Sequence, residues 1–274
     1  TATIMPHPEW LSQILAALPD GIASQLEGQQ TELIIALLVL LVTLVVVVLS
    51  RLVAPKKASG SSILIAGPCS AGKTMLFFQL RDGTTHNGTV ASMQENVGLV
   101  SVKNDKGKAV GNVSVVDVPG HERLRRILEK RLDDAAAVVF VIDAADITPH
   151  KVEAAEELFE VLTNPSISKR RVPILIACNK MDLDAQAHSV EFVKRTLEKQ
   201  LDAMRRTRTT LSPEAAARAA VLGKPGSAPA GGSGAAAGGG LSLSSLRNPI
   251  STASLSALTG DVAEVHAFLA RFAR

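Results

Sequence analysis

The 274-residue chain has no tyrosine, one tryptophan (Trp10) and seven phenylalanines. A surface that stacks nucleic-acid bases interleaves aromatics with Lys and Arg, and no such cluster occurs here, so direct nucleic-acid binding is not expected. Only two cysteines are present, Cys69 and Cys178. They form neither a disulfide framework nor a metal-ligand spacing, and read as free thiols in a reducing compartment, small buried apolar residues rather than reactive ones. Positive charge is missing from residues 1–50, which hold no Lys or Arg and four acids, Glu9, Asp20, Glu27 and Glu32. That stretch carries −4, and the remainder, with 29 basic against 22 acidic residues, carries +7. Hydrophobic content of 46% and charged content of 20% exclude a chain disordered throughout. The length implies one domain with accessory segments.

The charge boundary falls at an apolar run. Residues 33–50 are uncharged (LIIALLVLLVTLVVVVLS), and as a helix would span ~27 Å, close to the ~30 Å hydrocarbon core. The expectation is a transmembrane helix at 33–50. A cleaved signal peptide carries its positive charge before the apolar stretch, whereas Arg51, Lys56 and Lys57 follow it here, which marks an anchor. The positive-inside rule then puts residues 1–32 in a lumen and everything after a linker at 51–61 in the cytosol.

Beyond the linker, strand-length apolar runs at 63–66, 98–102, 113–117, 138–142, 174–178 and 250–255 alternate with helix-period segments. This pattern predicts an α/β domain over 62–274, with a mostly parallel six-stranded sheet flanked by helices. One helix is marked by Val190, Val193, Leu197, Leu201 and Met204, and a last one by Val262, Val265, Leu269 and Phe272, opened by a capping-box-like Asp261 and Glu264. Between them, 17 of the 18 residues at 223–240 are Gly, Ala, Ser or Pro. Such composition cannot bury enough apolar surface to offset ordering, so 207–248 is expected to be a flexible insertion, its first part partly helical.

Three motifs end strands in succession. Gly67-Pro68-Cys69-Ser70-Ala71-Gly72-Lys73-Thr74 matches G-x-x-x-x-G-K-[ST] after the first strand and before a helix. Its amides and the helix N-terminus suit phosphates, Lys73 suits the β- and γ-phosphates, and the Thr74 hydroxyl suits Mg²⁺. Asp117-Val-Pro-Gly120 ends the third strand, where Asp117 can hold Mg²⁺, through water, and the Gly120 amide can meet a γ-phosphate. His121 follows directly, and its ring either orients an attacking water or makes a loop hydrogen bond. Asn179-Lys180-Met-Asp182 ends the fifth strand. A carboxylate at Asp182 accepts two hydrogen bonds from guanine, a pattern adenine lacks, so GTP and GDP are favoured over ATP. Asn179 would brace the base and neighbouring loops, and the Lys180 stem would cover the base. Ser256-Ala257 fits a base-supporting turn by position.

With these residues in hand, the cytosolic portion resembles the Ras-like GTPases. It is closer to the Arf-like group, and within that wider family to the signal recognition particle receptor β subunits, which combine an N-terminal anchor with the strings GPCSAGKT, DVPGHERLR and ACNKMD. The resemblance covers residues 33–206 and 250–274. It implies a P-loop GTPase on the endoplasmic reticulum membrane whose GTP state holds the receptor α subunit, and through it meets the ribosome and the signal recognition particle. It further implies partner contacts at 89–95 and 121–126, and a slow GTP hydrolysis acting as a regulatory switch. Ras-like proteins use a first-switch threonine on Mg²⁺, for which this chain offers Thr89 or Ser92. An Arf-like trafficking switch and a constitutively GTP-bound tether are the alternatives.

Overall fold

The computed structural model describes residues 39–45, 60–84, 88–90, 92–103, 109–223 and 240–273. The chain divides into two compact units, Thr1–Pro55 and Lys56–Arg274. In the first, residues 39–45 are helical and their apolar side chains, Val39 to Val45, are exposed. The rest of the predicted span 33–50, the segment 1–32 and most of the linker lie outside the described residues. Among the described residues no helix is long and apolar enough to cross a membrane.

In the second unit, strands β1 (Ser62–Ala66), β2 (Asn96–Lys103), β3 (Ala109–Asp117), β4 (Ala135–Asp143), β5 (Ile174–Asn179) and β6 (Ile250–Ser254) form a sheet in the order β2-β3-β1-β4-β5-β6. Only the β2–β3 pair is antiparallel; the other four pairings are parallel. The helices are α1 (Lys73–Asp82), α2 (Arg125–Leu132), α3 (Ile147–Thr163), α4 (Pro165–Arg170), α5 (Val190–Leu211), α6 (Pro213–Ala219) and α7 (Ala263–Leu269).

Alternation along the strands sorts side chains between two cores. In β4, Val138, Phe140 and Ile142 enter one cluster, with Leu128 and Leu132 of α2, Leu158 and Phe159 of α3, and Val193, Leu197 and Leu201 of α5. Ala137, Val139 and Val141 enter the other, with Leu76, Phe77 and Leu80 of α1, and Val265, Phe268 and Leu269 of α7. Burial on both faces is why these strands read as continuous apolar runs. The parallel strands present their C-terminal ends on one edge, where an α/β sheet binds ligands.

Three expectations need correction. The capping box at Asp261 and Glu264 does not form: α7 starts after Val262 without a side-chain cap. Glu264 instead accepts from Ser254 N at 3.0 Å, and the Asp261 carbonyl accepts from Ser256 N, also at 3.0 Å. The insertion expected at 207–248 is narrower. Helix α5 runs on to Leu211, Ser212 caps α6 by accepting from Ala215 N, and Leu222, Leu241 and Leu243 join the first core. Asn248 is buried and donates to the carbonyls of Ile167 and Val172. Residues 224–239 lie outside the described residues. Finally, Cys178 is buried and its thiol is pushed up to about 12 by burial, but Cys69 is exposed.

Candidate functional site

The loop between β1 and α1 rests on close backbone approaches. Gly72 has a φ of +90°, and a Cβ there would lie 2.2 Å from Asn179 Nδ2, so only glycine fits between α1 and the end of β5. Gly120 comes down on the same loop from the end of β3. A Cβ on it would stand 2.4 Å from Lys73 Nζ and 2.5 Å from Gly67 O. Lys73 Nζ donates to Pro68 O at 2.7 Å and is 7% exposed. Burial pulls its pKa below the ordinary lysine value, against the opposing pull of Glu157 and Asp117.

Thr74, Asp117 and Ser92 converge. The Thr74 hydroxyl donates to Asp117 Oδ2 at 2.8 Å and lies 2.9 Å from Ser92 Oγ. Asn96, paired opposite Asp117 across the antiparallel ladder, donates to the same Oδ2 at 2.9 Å. Asp117 Oδ1 is buried and has no hydrogen-bond partner among the described residues. Burial raises the Asp117 pKa, opposed by the bonds from Asn96 and Thr74 and by the charge of Lys73. Two hydroxyls beside a carboxylate oxygen left over make an all-oxygen donor set that fits Mg²⁺. Of the two first-switch candidates, Ser92 reaches Thr74, whereas Thr89 is exposed at the cavity wall.

The other end of the cavity is built from β5 and the turn after β6. Asn179, 2% exposed, donates through Nδ2 to Ala71 O at 2.8 Å and accepts through Oδ1 from Ala257 N at 3.0 Å. It thus clips the phosphate loop to the Ser256-Ala257 turn. Ser256 Oγ donates to Asp182 Oδ1 at 2.6 Å and accepts from Thr259 N at 3.2 Å, which fixes the carboxylate. Lys180 stands at a φ of +66° with its ammonium on Asp143 Oδ2, its stem along the cavity. The cavity that joins these groups is about 410 Å³, within the range of small-molecule sites. Leu183 and Leu258 wall the base end, while Cys69, Ser70 and Gly120 wall the phosphate end. His121 is exposed beside Gly120. Its Nδ1 accepts from Arg123 N at 3.2 Å, which is the loop hydrogen bond, and its ring also lines the cavity.

Several participants lie outside every motif. Asn96 and Asp143 are placed by register, opposite Asp117 and Asn179 respectively. Glu157 of α3 accepts from Gly67 N at 3.0 Å. Glu95 forms a two-bonded ion pair with Arg131 and ties the segment before β2 to the end of α2.

Comparison with known proteins agrees with this architecture. The family described as the signal recognition particle receptor beta subunit matches residues 58–225. The mouse and human receptor beta subunits are 34% and 33% identical over 191 residues, 69% of this chain and 69% of each relative. The mammalian signal recognition particle receptor structure superposes with a TM-score of 0.61 at 31% identity, covering 77% of this chain and all of that one. A Chaetomium thermophilum SRβ-GTP/SRX complex shares the fold with a TM-score of 0.55 at 21% identity, covering 77% of this chain and 98% of that chain. The chain belongs to the signal recognition particle receptor β-subunit family.

Proposed function

We propose that this chain is a GTP-binding subunit that spans the endoplasmic reticulum membrane and, in its GTP state, holds the receptor α subunit for co-translational targeting. The observation that carries the reading is a single cavity with a phosphate loop at one end and a braced, acid-tipped base site at the other. Loop amides of 67–74 would bind the phosphates, with Lys73 on the β- and γ-phosphates and the Gly120 N–H on the γ-phosphate. Thr74, Ser92 and, through water, Asp117 would hold Mg²⁺, which supplies neutralisation of phosphate charge when bound. Asp182, oriented by Ser256, reads guanine N1–H and its amine, and Asn179 keeps base site and phosphate loop in one frame.

Coupling to a partner follows from what Ser92 touches. A γ-phosphate would draw in Ser92 and Gly120 together, and these carry with them the neighbouring exposed Val90 and Met93 and the start of α2. Met93, Glu95, Ile127 and Arg131 line a further groove of about 530 Å³ beside them. Two exposed apolar side chains next to a groove, all tied to one phosphate-sensing serine, make a docking face for the α subunit that reports the nucleotide. Hydrolysis would be slow, since among the described residues no arginine lines the cavity. The apolar run at 33–50 and the basic residues after it support the anchor, with the GTPase unit cytosolic and the acidic N-terminal segment lumenal.

The test uses the full chain in mild detergent. Fluorescent GTP should bind with Mg²⁺ and resist competition by ATP, and the α subunit's N-terminal domain should be retained by the GTPγS form over the GDP form. Preference for ATP, or equal retention in both states, overturns the reading. Protease protection of microsomes should leave only the N-terminal segment shielded.

A further inference from the structure

Glu157 belongs to none of the nucleotide motifs, yet it sits directly behind the phosphate loop. It is 7% exposed on the inner face of α3, between Ala154 and Val161 in the apolar stripe, and its Oε1 accepts from Gly67 N at 3.0 Å. The charged groups around it come from three elements. Lys73 faces it from the start of α1, Arg125 from α2, and Glu160 from one turn on along α3. Arg125 is itself engaged with Glu160 at 3.1 Å, and Asp117 from β3 acts on Lys73 alongside Glu157. Lys73 bonds to the Pro68 carbonyl rather than to the carboxylate, so Glu157 balances its charge through space.

We propose that Glu157 is a positioning residue of the phosphate loop that holds the Gly67 amide, balances Lys73 while no nucleotide is bound, and takes up a proton when phosphates arrive. The inference rests on the guanine-nucleotide reading above. Its logic is charge balance around a buried carboxylate. Before binding, the buried Lys73 ammonium faces two buried carboxylates, Glu157 and Asp117. Binding brings several negative charges onto the same ammonium, which then offsets the carboxylate behind the loop far less and leaves it only Arg125, itself engaged with Glu160. The neutral acid still accepts the Gly67 N–H through its carbonyl oxygen, so the loop keeps its anchor while the surplus charge is removed. Burial already pushes the Glu157 carboxyl up to about 7, so a small further rise moves the proton at neutral pH. The balance is one proton from solvent per nucleotide bound, at most, with no other reactant.

The experiment compares the wild-type chain with Glu157→Gln, which keeps the amide-accepting oxygen and removes the charge. Fluorescent GTP affinity is measured with Mg²⁺ from pH 6 to pH 8, so that protonation of the nucleotide itself cancels between the two proteins. Wild-type affinity should fall relative to Glu157→Gln as pH rises, reaching about a fivefold deficit at pH 8, the effect on binding of a one-unit rise in a Glu157 pKa that starts near 7. Calorimetry of the wild type in buffers of different ionisation enthalpy gives a second readout, which stands even where the variant does not fold. It should show net proton uptake at pH 7.5. Parallel pH profiles, or proton release, with GTP binding intact overturn the proposal alone. A wild-type chain that binds no guanine nucleotide overturns the underlying reading and the proposal with it.

Discussion

Removing the Asn179 amide by Asn179→Ala should uncouple the two ends of the cavity. Asn179 satisfies Ala71 O at 2.8 Å and Ala257 N at 3.0 Å, and both of those residues are buried, at 0% and 1% exposure. Truncation orphans one acceptor and one donor inside the protein, each worth about 1–3 kcal/mol, with water entering the vacated space to recover part. The net expectation is a loss of about 2–4 kcal/mol, or roughly 5–10 °C in Tm for a domain of this size. Asn179→Asp keeps the acceptor for Ala257 N but sets an oxygen against Ala71 O, and should be no better than the alanine variant. Lys180→Ala, one residue on, removes only a partly exposed ion pair and should cost under about 1 kcal/mol. Denaturation of the full chain without nucleotide should be followed by far-ultraviolet circular dichroism, because the chain has no tyrosine and its one tryptophan, Trp10, lies far from this unit in sequence. Guanine-nucleotide affinity should fall in parallel. An Asn179→Ala protein within about 0.5 kcal/mol of wild type would refute the brace, and with it the reason for burying a polar amide at that strand end.

Further outcomes follow from the same geometry. Ser92→Ala should weaken Mg²⁺-dependent GTP binding by about tenfold and leave GDP binding nearly unchanged if the serine, which lies 2.9 Å from Thr74, acts as the proposed first-switch group; competition titrations with and without Mg²⁺ check this. Asp182→Asn should shift preference from guanine to xanthine nucleotides, and Ser256→Ala should lower guanine affinity a few-fold by releasing the carboxylate it holds at 2.6 Å, both read by competition binding. Arg131→Ala breaks a pair with Glu95 that is partly exposed, so unfolding should register under about 1 kcal/mol while α-subunit retention drops. Glu157→Gln should also change how stability depends on pH. A carboxyl raised from 4.5 to about 7 holds more protons folded than unfolded within that window, so the wild type loses stability as pH rises through it, and the loss levels off above it. The variant lacks that loss, so its advantage should grow from pH 4.5 to about 3 kcal/mol above pH 7, measured by urea denaturation at each pH.

The central strands β1, β4 and β5 were legible because each carries an apolar run that is buried along nearly its whole length, so no polar interruption confuses the boundary. The motif residues were equally legible, since G-x-x-x-x-G-K-[ST], D-x-x-G and N-K-x-D are local strings. What sequence could not display is partnership at long range. Glu157 sits in a run with Glu153, Glu156 and Glu160 that reads as a solvated helix face, and only the phase of Ala154, Leu158 and Val161 turns it inward. Ser92 occupies a segment without periodicity, so its approach to Thr74 has no local signature. The Asp261–Glu264 pattern was present but lost its role, because the backbone of Ser254 competes for the same carboxylate. On either side of the Gly/Ala-rich stretch, single leucines anchor the chain, and a composition window averages them away.

Those leucines have a practical consequence. Leu222 and Leu241 enter the same core, and Gly223 and Gly240 line one small cavity together, so the two ends of the Gly/Ala-rich stretch meet at one seam of the domain. Closing a loop twice as long between fixed ends adds only about 0.6 kcal/mol. A fluorescent protein or an affinity tag spliced between residues 223 and 240 would therefore ride on the GTPase unit without shifting α5 or β6, giving a way to label it internally.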